Sequence, residues 1–446
     1  NIYGTLSNLK AKNLKFRYGK QTRFKGEIEF DGLGFKKDPI IRAKITNLIT
    51  FENDIKKIPI FPFSLGKTIK TPLWMKKIGK IEFKGEFIGP MSDFEAAGIL
   101  KTKAGSIKSD VHVKRDSKDE TKIIGKIITT EFDLGKTIGN PNFGLISMNG
   151  ELNALAQFND NRLIFSGKIP RVDYKGYSYS NIKMDGTIRD KIYKGIFTVN
   201  DDNLVFDFDG SVDFSLPNLQ KYDFVAELKK ANLRNINLSL RDSSTRLRGE
   251  LKVNMLGNQL EDLNGRLMLK NLIWEENGKS YKIDSCNLNS IKNKEREMIV
   301  LKSDIMDAKI EGIYNLKDIY PTIVGVLSKD IPSIKNNNNL NTSNEYSTFN
   351  LMFKFYDYSL INELFTPNIN LSKKTKLSGR FDNKLKSFSL NFASDSVLIK
   401  KKALRDVKIY SNNNDGGINL AFRSKLIQIA NKIDIENIIL NSSIED

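Results

Sequence analysis

The chain has 446 residues, of which 39% are hydrophobic, 10% aromatic and 28% charged. That composition excludes an intrinsically disordered chain and a bundle of membrane spans, and no apolar run reaches the roughly 18 residues that a helical span needs. Lys and Arg number 71 against 53 Asp and Glu, a net charge of +18. Such an excess suits nucleic acid, an anionic membrane or lipopolysaccharide, or simply a Lys- and Asn-rich genome. The charge is spread through the chain, and no nucleic-acid module is recognisable. A single Cys and a single His exclude an internal disulfide and a Cys/His zinc site.

In chain order, the sequence opens on NIYGTLSNL, already in strand register and without an initiator Met or a signal peptide. With its abrupt end in NSSIED, this leads us to expect a piece of a longer protein. A first unit of the form Φ-x-Gly-x-Φ, where Φ is apolar, surrounds Gly26, and a second surrounds Gly85 between Phe83 and Phe87. The unit recurs at Gly125, Gly150, Gly167, Gly186 and Gly195. In NLVFDFDGSVDFSL, from Asn203, the residues Leu204, Phe206, Phe208, Val212 and Phe214 alternate with polar neighbours around Gly210. Further on, Leu247, Gly249, Leu251 and Val253 share one strand face, and Arg246, Arg248, Glu250 and Lys252 the other. Units at Gly265, at Gly312 between Ile310 and Tyr314, and at Gly379 between Leu377 and Phe381 complete a set of twelve among 30 glycines.

Turn signals such as Asp201-Asp202-Asn203, Glu276-Asn277-Gly278 and the run from Asn412 to Gly417 separate the strands. Short helices are expected to start at Leu65 and Leu134 and to cover Tyr358–Phe365, closed by Pro367. Residues 335–347, rich in Asn, read as a flexible loop inside one otherwise continuous segment spanning 1–446.

An antiparallel sheet with one oily face must hide that face in a sandwich, a barrel or a curled sheet. Repetition over hundreds of residues favours a quasi-one-dimensional array over a compact fold. The expected class is therefore all-β: an elongated, curled antiparallel sheet forming a trough with an apolar lumen and a few short helices. Gly85, Gly210, Gly249, Gly265, Gly312 and Gly379 are the expected points of curvature. About 30 strands at about 4.8 Å give an array on the order of 150 Å long.

Sharper chemical motifs fall away on inspection. LGKTI occurs at 65–69 and 134–138, but the glycine that a P-loop needs five places earlier is Phe61 or Thr130. Asp207-x-Asp209-Gly210 lacks the remaining ligands of a calcium loop. His112, between Val111 and Val113, projects to the polar face of a strand, and Cys286 reads as a structural thiol. Trp74, beside Lys76, Lys77 and Lys80, reads as a core or rim aromatic. No pair of carboxylates stands out. An enzyme reading lacks its residues, and no cofactor or metal is expected.

Several segments resemble the TamB branch of the AsmA-like envelope proteins. IEFKGEFIGPMSDFEAAGILKTKAG at 81–105 is similar to that family's F-x-G-x-F-x-G step followed by F-x-A-x-G-x-L. EFDLGKTIGNPNFGLISMNGELNAL at 131–155 and DYKGYSYSNIKMDGTI at 173–188 match further steps, and 221–238 and 364–381 also fit. The resemblance implies a "β-taco" trough in the periplasm of a Gram-negative cell. It implies an inner-membrane anchor and an outer-membrane barrel partner, both engaged through parts outside this sequence. It also implies movement of phospholipid between membranes, with assembly of outer-membrane β-barrel proteins as the alternative role. On this reading the acyl chains line against Phe83, Phe87, Leu204, Phe206, Phe208, Val212, Phe214, Leu247, Leu251, Val253, Ile310, Tyr314, Leu377 and Phe381.

Overall fold

The computed structural model describes residues 1–5, 7–33, 38–57, 71, 73–117, 120–157, 160–238, 245–259, 262–276, 278–293, 297–330, 346–366, 368–400, 402–413, 417–429 and 433–445. The chain is all-β and antiparallel, with a few short helices. It divides into two compact units: Asn1–Ser211 with Lys229–Ser243, and Val212–Leu228 with Ser244–Asp446. The division falls inside two strands, β13 (Leu204–Asp213) and β14 (Lys221–Asn232), where the sequence shows no change of composition.

In the first unit the strands are β1 (Ile2–Thr5), β2 (Asn8–Tyr18), β3 (Thr22–Asp31), β4 (Ile40–Thr50), β5 (Ile81–Gly89) and β6 (Asp93–Thr102). They continue as β7 (Gly105–Ser117), β8 (Glu120–Asp133), β9 (Phe143–Gln157), β10 (Asp160–Tyr174), β11 (Tyr177–Arg189) and β12 (Ile192–Asn200). Each pairs antiparallel with the next. Helices α1 (Glu52–Ile55) and α2 (Leu73–Lys77) lie between β4 and β5, and α3 (Leu134–Ile138) links β8 to β9.

The second unit holds β15 (Arg246–Leu256), β16 (Asn264–Glu276), β17 (Lys279–Lys292), β18 (Glu297–Ser303), β19 (Met306–Ile313) and β20 (Thr348–Phe355). After them come β21 (Ile369–Leu371), β22 (Lys376–Asp382), β23 (Ser387–Ile399), β24 (Lys402–Asn412), β25 (Gly417–Ile429) and β26 (Ile433–Glu445). Pairing is sequential, except that β20 pairs with β22 while the short β21 pairs with β23. Helices α4 (Ile319–Asp330) and α5 (Ser359–Phe365) interrupt the sequence of strands.

The twelve Φ-x-Gly-x-Φ units fall on twelve different strands, some near a strand's middle and others, as at Gly265 and Gly312, near its end. The helix expected at Leu134 is α3. Asp133 caps it by accepting the Lys136 N–H at 2.8 Å, and Gly139 ends it in the left-handed region. The helix expected at Leu65 and most of the 335–347 loop lie outside the described residues, as does the Trp74 side chain.

Aspartates tie strand ends together. Asp54 accepts the backbone N–H groups of Lys20, Gln21 and Thr22. Asp201 accepts those of Ser180 and Asn203, and Asp304 those of Asp284 and Ser285. Each carboxylate satisfies donors that the ladder leaves over at a turn.

Curvature has a source the glycines do not account for alone. Asn13, Glu131, Asn181, Asn271, Asp406 and Asn437 all sit inside strands with φ between 48° and 54°. At Asn13 and Asn271 the ladder register slips beside them, as it does at Glu131. Those three are bulges, which bend a strand and increase its twist, whereas beside Asn181, Asp406 and Asn437 the ladder stays in step. Across Asn13, Asn271, Asp406 and Asn437 the apolar pattern advances by three instead of two: Ala11 to Leu14, Leu269 to Leu272, Leu404 to Val407, Ile435 to Ile438. The slip keeps the apolar side chains on one face through the bend.

Candidate functional site

The register places the apolar positions opposite one another from strand to strand. In the first unit Ala11 faces Ile28, Ile28 faces Ala43, and Ala43 faces Phe87. The row goes on through Ala96, Val111 and Gly125 to Leu152, Phe165 and Gly186. In the second unit Val253 faces Leu267, then Leu288, Leu301, Ala308 and Phe353. That row continues through Leu377, Phe392, Ile409 and Phe422. No charged residue interrupts either row.

Most of these side chains are half-buried. On β5, Phe83, Gly85 and Phe87 are half-buried and alternate with the exposed Lys84 and Glu86. The same alternation runs along β6 and β15. A second sheet packed on this face would bury it fully, as in a sandwich core. Half-burial means that the neighbours of each residue shelter it while no complete layer covers it.

Aromatic rings lie over the glycines. Gly85 faces Gly98, Gly150 faces Gly167 and Gly186 faces Gly195 across their strand pairs. A Cβ on Gly98 would stand 2.8 Å from the Phe83 ring, one on Gly150 2.7 Å from the Phe165 ring, and one on Gly186 2.7 Å from the Tyr193 ring. The Phe381 ring lies over Gly379 in the same way, at 2.9 Å. These glycines leave room for a ring against the backbone. That gives Gly85 and Gly379 a role besides the curvature expected of them. Gly312 and Gly265 are required by the backbone instead. Their φ values of 148° and 136° favour glycine, and a Cβ would strike Thr348 O or Asn254 O at 2.2 Å. Gly210 has φ 149°. Gly249 takes no such conformation, and a Cβ there would meet only Leu272 and Lys270 at 3.2 Å or more.

The expected lining residues divide by environment. Phe206 and Phe208 join Tyr193 and Phe197 in an aromatic group, with the Phe197 and Phe208 rings stacked at 4.8 Å. This group buries Phe208, whereas Leu204 and Phe206 stay half-buried. Phe87 packs on Phe94 at 4.5 Å between ring centroids. In the second unit Leu247 faces Trp274, Leu251 faces Leu269, and Val253 is buried opposite Leu267. Val212 is half-buried near the end of β13, but Phe214 follows that strand and is 47% exposed, edge-on to Tyr222.

Ile310, Tyr314, Leu377 and Phe381 come together in one core with Phe349, Leu351 and Phe388. Helix α4 covers this part of the face through Ile319, Ile323, Val326 and Leu327. In the first unit a smaller cluster of Ile78, Ile81 and Ala104 receives Ile55 and Met75 from the segment between β4 and β5.

The Tyr193 hydroxyl is buried on the apolar face without a hydrogen-bond partner. Burial pushes it up to about 12, helped by the charges of Asp185 and Asp209. Burial likewise raises the Cys286 thiol, with Asp304 adding to the effect. At Asp201 burial works upward, but hydrogen bonds from Ser180, Tyr177 and the Asn203 N–H outweigh it and hold the carboxyl below its ordinary value.

Among the described residues the polar face is occupied by ion pairs. His112 is exposed there, its Nε2 2.5 Å from Asp93, and Lys229 meets Asp207 at 2.5 Å. A shallow concavity of about 230 Å³ lies over the charged side of β2–β5. Its Lys10 and Arg42 are both directed to Glu29, at 3.1 and 3.8 Å, so its charges largely compensate one another. At 134–138 the LGKTI segment is α3, with Lys136 engaged by Asp133. Among the described residues no group of three or more His, Cys, Asp or Glu is placed to hold a metal. No helix among them is long and apolar enough to cross a membrane.

Sequence reasoning missed the left-handed strand residues, although they carry a local signal. Two polar residues in succession break strict alternation at Lys12-Asn13, Ser180-Asn181, Lys270-Asn271 and Glu436-Asn437. Comparison of the chain with protein-family models, with curated protein sequences and with solved structures gives no match.

Proposed function

We propose that the chain is a non-enzymatic conduit whose apolar sheet face carries phospholipid acyl chains across the periplasm, between the inner and outer membranes. In this TamB-like arrangement, other parts of the protein supply the inner-membrane anchor and the contact with an outer-membrane barrel. The observation that carries the reading is the pair of uninterrupted apolar rows, half-buried along most of their length. A 16-carbon acyl chain loses on the order of 12 kcal/mol on entering water, at about 0.8 kcal/mol per CH₂. A carrier must replace that environment at every step and hold the chain too weakly at any one step to trap it. Rows of similar aliphatic and aromatic residues, with rings seated over glycine, meet both demands. The headgroup then stays in water, where the excess of Lys and Arg favours phosphate.

The test is site-specific photocrosslinking. Phe87 and Glu86 are neighbours on β5 with opposite faces, the first half-buried and the second exposed. A benzophenone side chain at Phe87 should capture phospholipid from phosphatidylethanolamine vesicles, and one at Glu86 should not. Equal capture at the two positions rejects the conduit. Capture of a barrel protein at either position, without lipid, favours the assembly role instead. Phe208 is less suitable as a probe because the Tyr193–Phe197 rings already bury it.

A further inference from the structure

The apolar face of the second unit is open along most of its rows but closed over Tyr314, Phe349, Leu351 and Phe381 by helix α4. We infer that α4 is a displaceable stopper, occupying the stretch of face where an acyl chain would otherwise lie. The inference rests on the conduit reading above.

Three observations support it. The contacts of α4 fall at Ile319, Ile323, Val326 and Leu327, the spacing of a single helical stripe, and Tyr320 on another side is 58% exposed. The helix therefore lies on the face as an apolar rod. Its 12 residues give a length on the order of 18 Å at about 1.5 Å per residue, enough to cross almost four strands. Second, the covered patch lies beside the row that is half-open elsewhere. Phe353 and Leu377 are row members packed against the α4 cluster, and Phe392, Ile409 and Phe422 continue the row beyond it. The Tyr314 hydroxyl in the cluster donates to Ile310 O at 3.5 Å.

Third, α4 has little helical tendency of its own. Its sequence, IYPTIVGVLSKD, places Pro321 in the first turn and Gly325 in the middle, with β-branched residues at 319, 322, 323, 324 and 326. Isolated helices shorter than about 12–15 residues are marginal even with favourable sequences. Docking thus maintains the helix, and a segment released from the face loses its helical form. An acyl chain competing for the patch meets a ligand whose own structure depends on staying bound.

The test uses benzophenone at Phe349, buried in the cluster with Val326 of α4, and at Phe422, outside it, each in the full chain with phosphatidylethanolamine vesicles. Capture at Phe422 should be strong and at Phe349 weak, and Val326→Asp should raise Phe349 capture several-fold while leaving Phe422 unchanged. Hydrogen exchange on the unsubstituted chain gives an independent reading. Amides of α4 should exchange faster when a 16-carbon lysophospholipid is added. Equal capture at the two positions before substitution, or Phe349 capture that Val326→Asp leaves unchanged, overturns the stopper. If Val326→Asp unfolds the unit, unchanged α4 exchange in the presence of lysophospholipid overturns it by itself. Absence of capture at Phe422 rejects the conduit, which separates that failure from failure of the stopper.

Discussion

Gly98→Ala should destabilise the first unit, and Phe83→Ala should relieve part of the damage. Gly98 takes no left-handed φ, so alanine carries no backbone penalty there. Its Cβ would stand 2.8 Å from two atoms of the Phe83 ring and 2.5 Å from Lys84 O, whereas ordinary contacts begin near 3.4 Å. The ring must therefore retreat by about 0.6 Å and the carbonyl by up to about 0.9 Å, an overpacking that costs about 1–3 kcal/mol. Restricting the unfolded chain returns about 0.4–1 kcal/mol, which leaves a net loss of roughly 0.5–2 kcal/mol. The unit spans 226 residues (211 from Asn1–Ser211 and 15 from Lys229–Ser243). At that size each kcal/mol lowers Tm by about 2–4 °C, so calorimetry should show a fall of roughly 1–8 °C. Phe83→Ala alone loses a half-buried ring, a cost of roughly 1–2 kcal/mol. If the ring is seated on Gly98, the double variant should fall short of the sum of the singles by about 1 kcal/mol, because the new methyl enters space that the ring vacated. Additivity within about 0.5 kcal/mol, or a Gly98→Ala chain as stable as the parent, refutes the ring seat.

Asp54→Asn should lower Tm at neutral pH but not near pH 2. The N–H of Gln21 is the leading cause that holds the Asp54 carboxyl below its ordinary value, followed by those of Lys20 and Thr22 against the opposing effect of burial. A depressed carboxyl contributes stability that is complete above the unfolded pKa of about 4 and is lost as pH falls through the folded value, so the two chains should converge in acid. Cys286 should react with iodoacetamide more slowly in the folded chain than in urea at the same pH, since burial first and Asp304 second raise its thiol; equal rates would remove Cys286 from the sheltered face. Asn271→Gly should leave stability nearly unchanged, whereas Asn271→Val should cost about 1–2 kcal/mol, because residue 271 sits at φ 51° in β16. A urea titration that finds the two variants alike would deny the bulge.

How far the fold is legible depends on which forces act locally. Alternation at Leu247–Val253, or at Phe83–Phe87, reports the burial of every second side chain, and the strands carry it as expected. The glycine units are legible as strand segments for the same reason. What seats on each glycine is decided by the partner strand, as Gly98 opposite Gly85 shows, and a single sequence gives no register. The cover over Ile310, Tyr314, Leu377 and Phe381 was not legible, because IYPTIVGVLSKD has weak helical propensity and becomes a helix through the surface it meets. Phe214 fits the alternation but falls after the last residue of β13, a boundary that the pattern cannot place.

The bulges connect these observations. A strand of 13 residues that kept strict alternation and ideal pairing would hold its greasy side steady only while it stayed nearly straight. Bending it by inserting one residue would ordinarily turn the following side chains to the wrong face. In β16 the insertion is Asn271, and the apolar positions after it, Leu272 and Trp274, are displaced by one in sequence so that they return to the face of Leu267 and Leu269. In β24 the apolar positions are displaced in the same way across Asp406, from Leu404 to Val407 and Ile409, while the ladder on both sides stays in step. Any sheet that buries one face requires its apolar pattern to follow such irregularities, whether the face is packed or open. Acyl-chain carriage needs that continuity of face and a filled core needs it equally, so the comparison of lipid capture at Phe87 and Glu86 is what separates the two.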